Sequence, residues 1–452
     1  MPPWRQRLLD LFLSPRIRPW AMATPILVLL FALPLLRPLI APAGATPTER
    51  LLLESVQSLV EGRNLALDPV WEGEAGTVTI EGKTFAARPP VFAVVLAGPA
   101  WILEQYGYEF DRDESKFSFF LTLVGVVIPT AVGAGVVYRM GRLFELSRPM
   151  RSLLAVLCVM ASGWISYSTV LNPHAPAAAC VMLSIATILY VCAARRPGRV
   201  IWMLILTGQL ASLAFAFDPW TAPIVVPLAL VILVARFSIT LRLVGVLMMT
   251  LGAMPVIWLH CAWSLSTFDS IFPPSSIALL REMTGSADET FWQRIGSLAR
   301  GLWVSLIGRH GIFTHFPLLI AAIVGLIVVL RRHWPMHAKM LAAVTFVAAI
   351  TIIMMSATQP SRLDGSMFAL TSAVTLLPLM MFWLGALLRR PFSAPVRVTL
   401  IALGSMSVFI SFAGARGPMP ITRYPSHTAL GAIERWIETD AEPANSSMAA
   451  AR

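Results

Sequence analysis

The chain has 452 residues and a net charge of +11, yet 57% of it is hydrophobic, only 13% is charged, and its mean hydropathy is +0.72. Soluble domains carry about a quarter charged residues, so a soluble enzyme is excluded. The excess positive charge is not the footprint of a nucleic-acid binder either, because the arginines sit in short connectors between apolar runs of about twenty residues, as in the basic cytoplasmic loops of membrane proteins.

Arg5, Arg7, Arg16 and Arg18 precede the first apolar run, Trp20 to Ala41. That run is long and lacks a small-residue cleavage site after a short core, which reads as a retained signal-anchor. A loop with both charge signs follows. Within it, Leu51 to Val60 carries apolar residues at helical spacing, Glu61-Gly62-Arg63-Asn64 ends that helix, and a turn-prone stretch runs through Gly73, Gly76 and Gly82 to Arg88-Pro89-Pro90. The next apolar segment, Phe92 to Tyr106, is short, contains Pro99 and ends in Trp101 and Tyr106. These features predict a helix lying in the interface or re-entering on one side, not a span.

Ten further runs are predicted to span: Phe117–Tyr138, Ser152–Val170, Ala175–Ala194, Val200–Phe217, Thr221–Ala235, Val244–Leu265, Phe316–Leu330, Met340–Ala357, Phe368–Leu388 and Val398–Ala413. With Phe92–Tyr106 kept to one side, every Arg-rich connector falls on the same face: Arg139 to Arg151, Arg195 to Arg199, Arg236 to Arg242, Arg331 to Lys339, and Arg389 to Arg397. The expected fold is an all-α polytopic membrane bundle of about eleven spans, with the N-terminus cytoplasmic and the C-terminus outside. It divides into a membrane module (1–265) that includes a first outer loop (42–116), a second outer loop (266–315), C-terminal membrane helices (316–414) and an outer tail (415–452). The four cysteines, Cys158, Cys180, Cys192 and Cys261, lie in apolar runs without metal-site spacing and read as packing residues.

Few polar groups could carry chemistry. Glu49 follows the first span closely, with Arg50 and Arg88 in the same loop. A carboxylate there could take a proton from a nucleophile while a cation stabilises a departing phosphate. The plain alternative is a solvated loop whose charges do nothing. Asn172-Pro173-His174 joins two spans and Asp218-Pro219 joins two others. His174 and Asp218 are possible cavity-lining groups, with helix capping as the simpler role. Arg309, His310 and His315 stand where the second outer loop returns to the membrane, and Arg309 suits a phosphate because its guanidinium can bind in two places. Arg362 in the last outer connector either binds a phosphate or pairs with Asp364.

The order of first span, charged loop, "ERLLLESVQSLVEGRNLALD" and then "GKTFAARPPVFAVVLAGPAWIL" resembles the GT-C membrane glycosyltransferases, and within them the protein-mannosyltransferase and lipid-A-aminoarabinose-transferase branch. "GRHGIFTHFPLLIAAIVGLIVVLRR" looks like a later segment of bacterial relatives. The resemblance covers about the first 220 residues reasonably and the rest loosely. It implies transfer of a sugar from a polyprenyl-phosphate carrier to an unidentified acceptor at the outer face, with inversion, by a protein of the bacterial inner membrane. It matches the family's loop aromatic to Phe85 and its loop cation to Arg88.

One departure matters. Aligned on "ESVQSLVEG", the family's catalytic Asp falls on Thr48, with Glu49 next. A threonine cannot act as a base at neutral pH. Either Glu49 takes that role, or the register is shifted by one, or the transfer reaction has been lost. On the active reading, Glu49 is the base and Arg88, Arg309 or Arg362 meets the lipid phosphate. Some relatives use a divalent cation, Mg2+ or Mn2+, but no ligand cluster here demands one. Two other classes of function stay open. One is a non-catalytic membrane scaffold that keeps the fold. The other is a transporter or lipid flippase, for which paired inverted halves would be expected and are not found.

Overall fold

The computed structural model describes residues 19–33, 47–73, 76–193, 197–234, 238–274, 276–277, 291–308, 311–358, 368–389 and 391–415. In chain order the helices are α1 (Pro19–Ala32), α2 (Pro47–Val60), α3 (Val91–Gln105), α4 (Phe110–Thr122), α5 (Ile128–Met140), α6 (Arg148–Met160), α7 (Trp164–Tyr167), α8 (His174–Ala193), α9 (Pro197–Phe217), α10 (Ala222–Val225), α11 (Leu228–Leu233), α12 (Ile239–Phe268), α13 (Phe291–Leu306), α14 (Ile312–His315), α15 (Leu319–Arg331), α16 (Met336–Ala357), α17 (Leu377–Phe382), α18 (Gly385–Leu388) and α19 (Ala394–Ala415). Between α2 and α3 lie three short strands, β1 (Ala66–Leu67), β2 (Thr77–Ile80) and β3 (Lys83–Ala86).

Six continuous helical segments are long and apolar enough to cross a bilayer: Phe110–Phe144, which runs through α4 and α5, then α8, Arg199–Phe217 within α9, α12, α16 and α19. The remaining expected spans are shorter or broken. The stretch after α9 bends at Pro219 and Pro227, and the last but one run is divided into a 3-10 turn (Thr371–Ala373), α17 and α18. Proline at the first positions of α10 and α17 explains why new helices start there. Between α4 and α5 the helix widens into a π turn over Leu123–Val127.

Packing follows from where the small residues fall. The buried face of α12 is Gly245, Met249, Gly252, Val256, His260 and Ser264, a run of three- and four-residue steps, while Leu243, Leu247, Leu251, Met254 and Trp258 point outward. A Cβ added at Gly208 of α9 would lie 1.8 Å from the Met249 carbonyl, and one at Gly252 would lie 2.0 Å from that of Ile205. Glycine at both points lets the two backbones touch, the usual device where lipid offers no hydrophobic drive for helices to associate.

The loop between α1 and α3 is folded. Its helix α2 buries Leu53 and Val56 on one side and Leu51 on the other, and closes with Gly62 at φ +76°. β2 and β3 form a hairpin in which Ile80 pairs with Lys83, leaving Glu81 (φ +50°) and Gly82 (φ +73°) as a two-residue turn. Positive φ at both central positions is the type I′ geometry that fits the strand twist. β1 adds to the other side of β3, making the sheet order β1-β3-β2. The alternation in Thr77-Val78-Thr79-Ile80 carried this signal, but the glycines around it read as turn alone.

Helix α3, the segment refused the status of a span, has 15 residues. At 1.5 Å per residue it is about 22 Å long, short of the ~30 Å hydrocarbon core. Its buried side, Val91, Phe92, Ala93, Leu96 and Ala100, packs on α2, α4 and α9. Its last turn brings Glu104 under the influence of Glu61 at the end of α2.

Candidate functional site

The bundle has two distinct ends. At one, α8 begins and α9 finishes, so the 167–174 turn meets Asp218. Asn172, fully buried, organises that turn. Its Oδ1 accepts from the backbone N–H groups of His174 (3.0 Å) and Ala175 (3.1 Å), which caps α8. Its Nδ2 donates to the Val170 carbonyl at 2.8 Å and to that of Tyr167. The Tyr167 hydroxyl donates to the Phe368 carbonyl at 2.6 Å, and Thr169 Oγ1 to that of Ala415 at 2.9 Å, tying the turn to the end of α19.

On this frame His174 Nδ1 lies 2.8 Å from Asp218 Oδ2. The Asp218 side chain is 2% exposed and that of His174 14%. Asp218 also caps the next turn, its Oδ1 accepting the Trp220 N–H at 3.2 Å. The capping role expected from Asp before Pro is therefore present, and a second role is added: a buried carboxylate that needs a partner has found an imidazole. That contact puts the proton on Nδ1 and leaves Nε2 as the open ring nitrogen, which makes no hydrogen bond among the described residues.

Glu49 joins the same corner. It stands in the first turn of α2, and its Oε1 accepts the Leu171 N–H at 3.1 Å, one residue before Asn172. The structure thus brings together three residues that the sequence marked separately, Glu49, His174 and Asp218. Arg88 is half-buried just after β3. Its neighbour Ala87 donates to the Gly76 carbonyl at 2.8 Å, and Gly76 rests on Leu51 in the second turn of α2. Arg50 turns elsewhere, with its guanidinium 5.4 Å from the centre of the Trp71 ring. Phe85 meets Phe268 edge to face, their centroids 6.4 Å apart, so it holds the hairpin on the end of α12. Arg309, His310 and Arg362 lie outside the described residues.

Two polar groups went unmarked as site residues in the sequence. Asn172 was visible only as an Asn-Pro turn. Glu54 of α2 sits among Arg50, Arg63 and Trp71, and burial pushes its carboxyl above the usual range, opposed by the Trp71 indole and the two arginines. The Trp71 N–H lies beside that carboxylate but falls short of hydrogen-bond geometry. Among the described residues no group of three or more His, Cys, Asp or Glu side chains could hold a metal ion.

The opposite end is rich in arginine. Arg389 reaches across from the end of α18 to Glu145 and lies 5.7 Å over the Trp334 ring, which packs edge-on to Phe144. Arg151 lies 4.8 Å over Tyr138 and fills the space a side chain at Gly141 would need. The basic connectors before α6, after α15 and after α18 thus gather at one end, as their charge pattern required.

The fold is that of the GT-C membrane glycosyltransferases. Superposition on ArnT from Cupriavidus metallidurans bound to undecaprenyl phosphate gives a TM-score of 0.50 at 13% identity, over 84% of this chain and 61% of that one. The apo form of the same protein gives 0.50 at 14%, over 85% and 62%. A weaker likeness is to the archaeal oligosaccharyltransferase AglB from Archaeoglobus fulgidus, in complex with an inhibitory peptide and a dolichol-phosphate: TM-score 0.46, 11% identity, over 89% and 56%. The chain therefore spans about three fifths of the length of the ArnT structures it matches. No family model and no curated protein sequence matches it.

Proposed function

We propose that this protein transfers a sugar from a polyprenyl-phosphate carrier to an acceptor at the outer face of a bacterial inner membrane, with the N-terminus cytoplasmic and the C-terminus outside. The observation that carries the reading is the convergence of Glu49, His174 and Asp218 at the end of a GT-C bundle away from the arginine connectors. Undecaprenyl phosphate bound to ArnT, a structural neighbour, supports the class of donor.

The chemistry needs a proton acceptor and a site for the developing phosphate charge. An acceptor hydroxyl in this corner loses its proton to Glu49, the base expected from the sequence, or to His174, and attacks the anomeric carbon from the side opposite the phosphate. The lipid phosphate leaves with the bonding electrons, and the configuration inverts. Arg88, the loop cation after β3, takes the role of meeting that charge, with Arg309 and Arg362 proposed for the same task. A divalent cation would add Lewis-acid stabilisation of the leaving group if one were bound, but no step above requires it.

A second reading rests on Thr48, which stands where the resemblance places the catalytic Asp. On that reading the chain keeps the fold as a scaffold. Mass spectrometry of cell-envelope glycans from cells with and without the gene separates the two. The transferase reading expects one sugar to vanish from the envelope and its lipid-linked form to build up. Identical glycans and unchanged lipid-linked sugars would support the scaffold.

A further inference from the structure

We infer that the group taking the acceptor's proton is His174, oriented by Asp218, and that Glu49 positions the turn on which His174 stands. The inference rests on the transferase reading and assigns the base within it.

Three observations lead there. First, the His174–Asp218 contact has the form of a carboxylate–imidazole pair built for proton transfer. The carboxylate is 2% exposed, is held by the Trp220 N–H, and reaches Nδ1 at 2.8 Å, while the imidazole side chain is 14% exposed. A buried carboxylate on Nδ1 fixes the tautomer and stabilises the imidazolium that forms when Nε2 takes a proton. Second, the scaffold of the pair is rigid. Asn172 spends its whole side chain on the turn, and the Tyr167 ring stands edge-on to the His174 ring with centroids 6.2 Å apart. Third, Glu49 already has one carboxylate oxygen committed to the Leu171 N–H at 3.1 Å. A carboxylate bonded to the backbone three residues before the imidazole is suited to holding that segment against α2.

The proton balance closes. The acceptor O–H bond breaks and its proton goes to His174 Nε2. The oxygen's electron pair forms the new bond to the anomeric carbon, and the bond from that carbon to the phosphate oxygen gives its electrons to the lipid phosphate. The imidazolium, paired with Asp218, then returns its proton to solvent. The assignment also accounts for Thr48, since a chain whose base stands on the α8 turn has no need of an aspartate at the start of α2.

The test uses the full-length protein in proteoliposomes with undecaprenyl phosphate carrying radiolabelled mannose, glucose or 4-aminoarabinose, and a delipidated envelope extract as acceptor. In His174→Asn the amide can still reach Asp218, but no base remains at the Nε2 position. Turnover should fall by about 10²- to 10⁴-fold, the range for a positioned general base, with donor KM within threefold of wild type. Asp218→Asn should fall by a similar factor. His174→Ala should regain at least about tenfold in turnover when imidazole is added, a response that a purely structural role would not give. Glu49→Gln keeps an oxygen for the Leu171 N–H and should retain turnover within about tenfold. Unchanged turnover in His174→Asn, or loss in Glu49→Gln as deep as in His174→Asn without imidazole rescue of His174→Ala, would overturn the assignment and leave the transferase reading standing. Absence of transfer by the wild-type protein from every donor would overturn both.

Discussion

The two ends of this bundle handle charge in opposite ways. Where α2, α8 and α9 meet, the polar groups are few and mostly buried, and they bond to one another and to turn backbone: Glu49 to Leu171, Asn172 to four backbone groups, His174 to Asp218. At the other end the arginines are numerous, and the clearest ion pair, Arg389 with Glu145, leaves the two side chains 46% and 31% exposed. Burying an ionisable group in a membrane protein is costly and is tolerated where it serves a purpose, whereas half-exposed pairs at a membrane edge cost and contribute little. The first end should therefore govern chemistry, and the second should govern orientation and modest stability.

The largest effect that would break this contrast is at Asn172. Asn172→Ala strips the cap from α8 and takes the Asn172 donor from the Tyr167 and Val170 carbonyls. It should destabilise the protein by about 2–4 kcal/mol and abolish transfer along with the order of the turn. Thermal unfolding in detergent checks the first part; a change below about 0.5 kcal/mol would mean that the turn does not depend on its asparagine.

A smaller effect concerns the loop helix. Burial holds the Glu54 carboxyl above its ordinary range, so the folded loop keeps a proton more readily than the unfolded chain does. The stability this contributes is present at low pH and is lost as pH rises through the folded-state value. Glu54→Gln should raise the melting temperature at pH 7, and its advantage over wild type should shrink as pH falls toward 4.5. An advantage that is absent at pH 7, or that grows on acidification, would contradict the assignment.

The smallest effect belongs to the arginine end. Arg389→Ala removes an exposed ion pair and a ring contact and should cost less than about 1 kcal/mol, with transfer unchanged. A tenfold loss of transfer in this variant would erase the difference between the ends.

Much of this architecture could be read from the chain alone, because the bilayer imposes simple rules. Apolar length located the helices, and the arginine connectors predicted which of them share an end. Pro99 and the aromatic end at Trp101 and Tyr106 set α3 apart from a span, and it packs on the loop helix α2. Pro378 marks the start of α17, but the break between α17 and α18 was not legible, since it falls where Gly325 of α15 lets the Trp383 backbone come close. The hairpin was missed because Gly76 and Gly82 flank a short alternation that only pairing makes visible. At the site, Glu49, His174 and Asp218 could each be nominated by residue type. Their meeting could not, because Glu49 is separated from Leu171 by 122 positions and His174 from Asp218 by 44.

The central claim, that a lipid-linked phosphate is handled where Glu49, His174 and Asp218 converge, is tested most directly by photo-crosslinking. Undecaprenyl phosphate with a photoreactive group next to the phosphate would be bound to the reconstituted protein, irradiated, and the labelled peptides identified by mass spectrometry. The account predicts labelling in the 47–60, 85–92, 167–176 and 217–221 segments, suppressed by excess unlabelled undecaprenyl phosphate. Competable labelling confined to the 139–151 and 331–339 connectors, or to the middle of α12 and α16, would contradict it.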